Sequence, residues 1–149
     1  MPTAMYGRLA ASLAASLVVM YFLAFSQIDR PDHFDLSLSV FWISLSMVAA
    51  MGLIMLTTMR RSFPDRRLNL ALYVAFGLLL VGAFAAGRFE AAVGDEAFLR
   101  SMIPHHSRAI HMCQEAALTD PQIEDLCRRI IEAQREEIAE MERIMARRG

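Results

Sequence analysis

The sequence predicts an all-α protein: three transmembrane helices followed by an extracytoplasmic antiparallel helical hairpin. Two patterns carry this. Three long uncharged apolar runs fill the first 87 residues, and the remaining 62 show helical periodicity without such a run. An apolar fraction of 56% is above the usual level for soluble domains, which fits a membrane anchor. Residues 1–87 are therefore read as the anchor and residues 88–149 as the hairpin.

The runs are Leu9 to Phe25, Leu36 to Met59 and Leu68 to Gly87. A spanning helix needs about 17–25 apolar residues, so the second and third are ample and the first is short. Arg8 and the segment Ala24-Phe25-Ser26 also suit a cleaved signal peptide. The run is longer than a usual signal core and two spans follow it, which favours an uncleaved helix. Gly77, Gly82, Ala83, Ala86 and Gly87 predict close packing of the third span. Met47, Met51, Met55 and Met59 recur every four residues on the second, a spacing read as helix packing rather than a metal relay.

All 15 basic residues are arginine, and their placement is uneven. The loop Arg60 to Arg67 carries four, whereas Ser26 to Asp35 carries one Arg against three Asp. The positive-inside rule puts the arginine-rich loop and the N-terminus in the cytoplasm, and the hairpin in the periplasm of a bacterial inner membrane. His33, among Asp29, Asp32 and Asp35, is read as solvated. The hairpin segment carries 12 acidic and 9 basic residues, with no basic patch or aromatic surface for nucleic acid.

In the hairpin, Asp95 to Ala117 and Pro121 to Arg148 each read as an amphipathic helix. At about 100° per residue, Phe98, Met102, His105, His106, Ala109, Met112 and Cys113 share one arc. Ile123, Cys127, Ile130, Gln134, Ile138, Met141 and Met145 form the matching stripe. Arg100, Ser107, Arg108 and His111 fall on the opposite face. Asp120 or Thr119 can cap the second helix, with Pro121 in its first turn. Glu124–Arg128 and Asp125–Arg129 are spaced as ion pairs. Pro104 implies either a kink or a helix start immediately before His105. A turn centred near residue 120 sets Cys113 level with Cys127 and His106 level with Gln134. The two cysteines then form a disulfide or, alternatively, a dithiol metal site. A hairpin this small buries too little surface to stand alone, so a homodimer completing a four-helix bundle is expected.

The chemistry of the stretch Phe98 to Ala116, FLRSMIPHHSRAIHMCQEA, is that of soft ligands. Thioethers, imidazoles and thiols are what Cu(I) prefers, with Ag(I) as its mimic. Met102, His105, His106, Met112 and Met141 are the candidate ligands. Gln134 and Glu137 are placed behind them as imidazole-orienting residues, and Asp95 as a helix cap or a further outer acceptor. Neighbouring histidines project about 100° apart, so one can face the partner helix and the other a dimer partner. Affinity is expected to fall below about pH 6, where protons compete for imidazole. Methionines and histidines also serve as ordinary core residues.

The motif FLRSMIPHHSRAIHM followed by IIEAQREEIAEM resembles the domain-of-unknown-function family 305. Its pattern is matched at Asp95, Phe98, Met102, Pro104, His105, His106, Ala109, Met112, Gln134, Glu137 and Met141. The three spans also resemble a membrane-anchored branch of that family. The resemblance implies a ferritin-like helical fold and, in some members, periplasmic copper or silver binding through Met and His.

Two function classes follow: a membrane-anchored soft-metal protein for copper tolerance or handover, and a non-catalytic dimerisation or interaction module of a membrane complex. An enzyme is disfavoured. No Glu-x-x-His of the di-iron type occurs, no hydrolase triad can be assembled, and no Cys-x-x-Cys is present.

Overall fold

The computed structural model of the protein describes residues 3–148, which form five α-helices and no strand. They are α1 (Thr3–Leu23), α2 (Leu38–Thr58), α3 (Arg66–Arg88), α4 (Asp95–Glu115) and α5 (Pro121–Arg148). Two compact units result. The first is Met1–Leu23 with Ser39–Ala91, and the second is Ala24–Leu38 with Ala92–Gly149. The second unit therefore holds a segment from the sequence between α1 and α2 as well as the hairpin.

In the first unit, α1, α2 and α3 are each long and apolar enough to cross a membrane. Leu9 and Leu13 of α1 pack on Val48 and Leu56 of α2, with Phe63 closing the cluster. A side chain at Gly52 would put its Cβ 3.0 Å from the Phe76 ring, so glycine is what lets α3 approach α2 there. The expected small-residue packing of α3 is confined to part of its length. Ala83 is buried and Gly87 lies against Trp42, but Gly77 and Gly82 meet nothing. Met51 and Met55 pack on the core cluster, while Met47 faces outward. Leu70, Leu78, Val81 and Phe84 are also exposed, a surface suited to hydrocarbon rather than water. The arginine-rich loop is tied down by polar contacts. Tyr6 Oη donates to Asn69 Oδ1 at 2.8 Å, and Asn69 Nδ2 donates to the Phe63 carbonyl at 2.8 Å. Asp65 caps α3 by accepting from the Arg67 and Leu68 amides.

The second unit is an antiparallel hairpin of α4 and α5. A disulfide between Cys113 and Cys127 joins the helices near the turn. At the other end Arg148 donates to Asp95 Oδ2 at 2.7 Å. Asp120 caps α5 by accepting from the Gln122 amide, with Pro121 beginning the helix as expected. Asp125 pairs with both Arg128 and Arg129, whereas Glu124 takes no part. α4 runs unbroken through Pro104. Leu99, Ile103 and Ile110 pack against Ile138 and Met141, and Ile110 has no exposed surface.

The buried side of α4 is rotated from the expected arc. Leu99, Ile103, His106 and Ile110 turn inward, while His105 is exposed and Phe98 and Met112 are 52% and 65% exposed. Branched aliphatic side chains at 99, 103 and 110 bury more apolar surface than an arc centred on an imidazole, and they set the phase of the helix.

A second correction concerns the side of α4 expected to face solvent. The segment Ala24–Leu38 packs on it. Ser107 Oγ accepts from the Asp29 amide at 2.8 Å and lies 2.9 Å from His33 Nδ1, and both side chains are buried. Ser37 and Ser101 are bonded at 3.0 Å. Arg100 bridges to Asp35 at 2.7 Å and to Glu96 at 2.8 Å. The hydrogen bonds to Asp35 and then to Glu96 raise its pKa further, so it stays charged. His33 is thus a buried residue of this contact rather than a solvated one.

Candidate metal site

His106 is the best-defined polar residue of the hairpin core. It lies on the inward face of α4, two residues after Pro104, and its ring is held at both nitrogens. Nδ1 is 2.8 Å from the Met102 carbonyl, one turn back on the same helix. A carbonyl can only accept, so the proton of that bond belongs to Nδ1. Nε2 then points across the hairpin at Glu137 Oε2, 2.9 Å away. The carboxylate is in turn steadied by Gln134 Nε2, which donates to the same oxygen at 3.1 Å. A histidine with Nδ1–H on a backbone carbonyl and Nε2 facing a carboxylate has the tautomer and orientation of a metal-ligating imidazole.

His105 sits beside it, exposed, with ring centroids 5.8 Å apart and planes at 66°. Met102 packs against the core cluster that includes Met141 and is half-buried. Met102, His105, His106 and Met141 therefore belong to one part of the hairpin, together with Gln134 and Glu137. Gln134 was expected to meet His106 directly. The helices are offset so that Glu137 takes that contact and Gln134 supports it.

Two expected members stand apart. Met112 lies ten residues beyond Met102, about 15 Å along a helix, and cannot share an ion with it within one chain. Asp95 begins α4 with Gly94 at the cap position, and its carboxylate pairs with Arg148 instead of capping or reaching the histidines. Among the described residues, no three His, Cys, Asp or Glu side chains group closely enough to hold a metal ion. A single chain thus offers an imidazole, a carboxylate and thioethers. That set fits a soft or borderline ion of low coordination number and does not fit a hard, oxygen-rich cation.

The contacts of Ser107 with His33 and Asp29, and of Ser101 with Ser37, were not expected from the sequence. The available signal was a lone serine following two histidines, paired with a histidine among aspartates far upstream.

Residues 85–145 match the family model described as Domain of unknown function (DUF305). The chain is also 32% identical over 115 residues to "Uncharacterized protein L153" of Acanthamoeba polyphaga mimivirus, covering 76% of this chain and 74% of that protein. No solved structure matches it.

Proposed function

The chain belongs to the DUF305 family, and on its own residues we propose that it is a membrane-anchored, extracytoplasmic Cu(I)-binding protein, serving copper tolerance or handover. The observation that carries this reading is the set of His106: Nδ1 anchored on the Met102 carbonyl and Nε2 aimed at Glu137. His106 Nε2, the thioethers of Met102 and Met141 and the imidazole of His105 would hold Cu(I) and supply its soft donors, with Glu137 beside the ring as an orienting carboxylate. Ag(I) binds in its stead as a mimic. The uneven arginines put the hairpin on the periplasmic side of a bacterial inner membrane. Copper analysis of the purified full-length protein, before and after anaerobic loading with Cu(I), tests the reading. About one retained equivalent per chain supports it, and none after loading contradicts it.

The hairpin acts as a homodimer. Phe98, Met102, His105, Ala109 and Met112 recur at alternating intervals of four and three, the seam of a coiled coil; Phe98, His105 and Met112 are exposed, and Met102 lies at the edge of the seam against the hairpin core. A second copy laid on that seam completes a four-helix bundle and brings the exposed Met112 thioether and His105 imidazole of each chain into one interface. The same seam favours the second reading, an interaction module without metal, because the His106–Glu137 contact is satisfied by protein atoms alone. Crosslinking in native membranes that yields only monomer counts against the dimer in both readings.

A further inference from the structure

We propose that Cys113 and Cys127 form a second Cu(I) site when reduced, and that the disulfide is the closed form of that site. This goes beyond the His/Met reading and rests on it only for the identity of the ion.

The two sulfurs come from helical positions on opposite arms of the hairpin, with Cα atoms 5.3 Å apart and both residues half-buried. Reduction leaves their backbones in place. The hairpin register is held by Leu99, Ile103, Ile110, Ile138 and Met141 and, at the open end, by Asp95 and Arg148. Metal–thiolate bonds of about 2.3 Å put two sulfurs about 4.6 Å apart around a linear ion. Two side chains whose Cα atoms are this close can open to that span by rotating about χ1.

The surroundings suit both steps. An open cavity of about 400 Å³ is lined by both cysteines, so a reductant and an ion can reach them. Arg128 and Arg135 line the same cavity. Arg135 makes no ion pair among the described residues. Nearby guanidinium favours thiolate over thiol, and it offsets the single negative charge of a bis-thiolate Cu(I) complex. Glu124 and Glu132 also line the cavity but are not soft-metal donors.

The chemistry balances with one external dithiol. Its two thiols reduce the disulfide to two cysteine thiols and leave as a disulfide, carrying off no copper. Cu(I) then binds both sulfurs and releases two protons. When a disulfide acceptor takes up the two electrons and two protons and leaves as two thiols, the Cys113–Cys127 bond re-forms and Cu(I) departs unchanged in oxidation state.

The test uses the full-length protein in detergent. It is titrated anaerobically with Cu(I) against a chromogenic chelator, either oxidised or after reduction with a phosphine and desalting. Reduction is expected to add one tightly held equivalent per chain, and X-ray absorption of that equivalent should show two sulfur neighbours. The variant Cys113→Ser/Cys127→Ser should gain nothing on treatment while keeping its helicity, and the single variant Cys127→Ser should lose the added equivalent too. The variant His105→Ala/His106→Ala should still gain it, which separates this site from the His/Met site. No added equivalent in the reduced parent, an equal gain in the double-serine variant, or a disulfide that resists the phosphine overturns the proposal.

Discussion

His106 and Glu137 face each other across the hairpin, Nε2 to Oε2 at 2.9 Å, with the opposite ring nitrogen fixed on the Met102 carbonyl. The carboxylate fixes where the ring points without being buried itself, since its side chain is 53% exposed. Replacing Glu137 with Gln should therefore leave the fold intact and weaken Cu(I) binding by about 10- to 100-fold, the usual effect of losing an orienting partner. Competition titration of parent and variant measures it. An unchanged affinity removes Glu137 from the site.

Ser107 is the hinge of the contact between α4 and the segment Ala24–Leu38. Its hydroxyl meets the Asp29 amide and His33 Nδ1, and none of the residue is exposed. Ser107→Ala leaves the buried His33 ring and the partly buried Asp29 amide without that partner, at a cost of about 1–3 kcal/mol. Limited proteolysis should then cut within residues 24–38 faster than in the parent. Equal cleavage rates contradict the contact.

Ile110 has no exposed surface and sits between the two arms of the hairpin. Ile110→Ala should destabilise the hairpin by about 2–5 kcal/mol, the range for emptying a core aliphatic position. Urea unfolding followed by far-UV circular dichroism reads the loss. A change under about 0.5 kcal/mol, typical of surface positions, would place Ile110 outside the core.

The hairpin was legible because its evidence is local. The link Leu118-Thr119-Asp120-Pro121-Gln122 marks a turn with a cap, and counting outward from it sets Cys113 against Cys127, where the disulfide lies. The three helices long and apolar enough to cross a membrane were legible from length and composition. The phase of α4 was not, because its histidines and methionines were counted with the apolar residues. That drew the stripe through Phe98, His105 and Met112 as well as the buried His106, and left out Leu99, Ile103 and Ile110. The contact of His33 with Ser107 depends on residues 74 apart, and no periodicity within either segment records it. The direct contact of Glu137 with His106 depends on an offset between helices that a single turn position does not fix.

The proposed orientation rests on the arginines alone. A reporter active only in the cytoplasm, fused after Gly149, should be silent, because three crossings from an inside N-terminus leave the hairpin outside. A signal from that fusion contradicts the orientation.

The central claim is that the imidazoles of the hairpin hold Cu(I) and do not merely pack it. Anaerobic Cu(I) titration of oxidised full-length protein, parent against His105→Ala/His106→Ala, with helicity recorded on the same samples, tests it most directly. Most tight binding should be lost in the double variant with helicity retained. A double variant that binds Cu(I) as tightly as the parent, or that keeps its affinity while losing helicity, contradicts it.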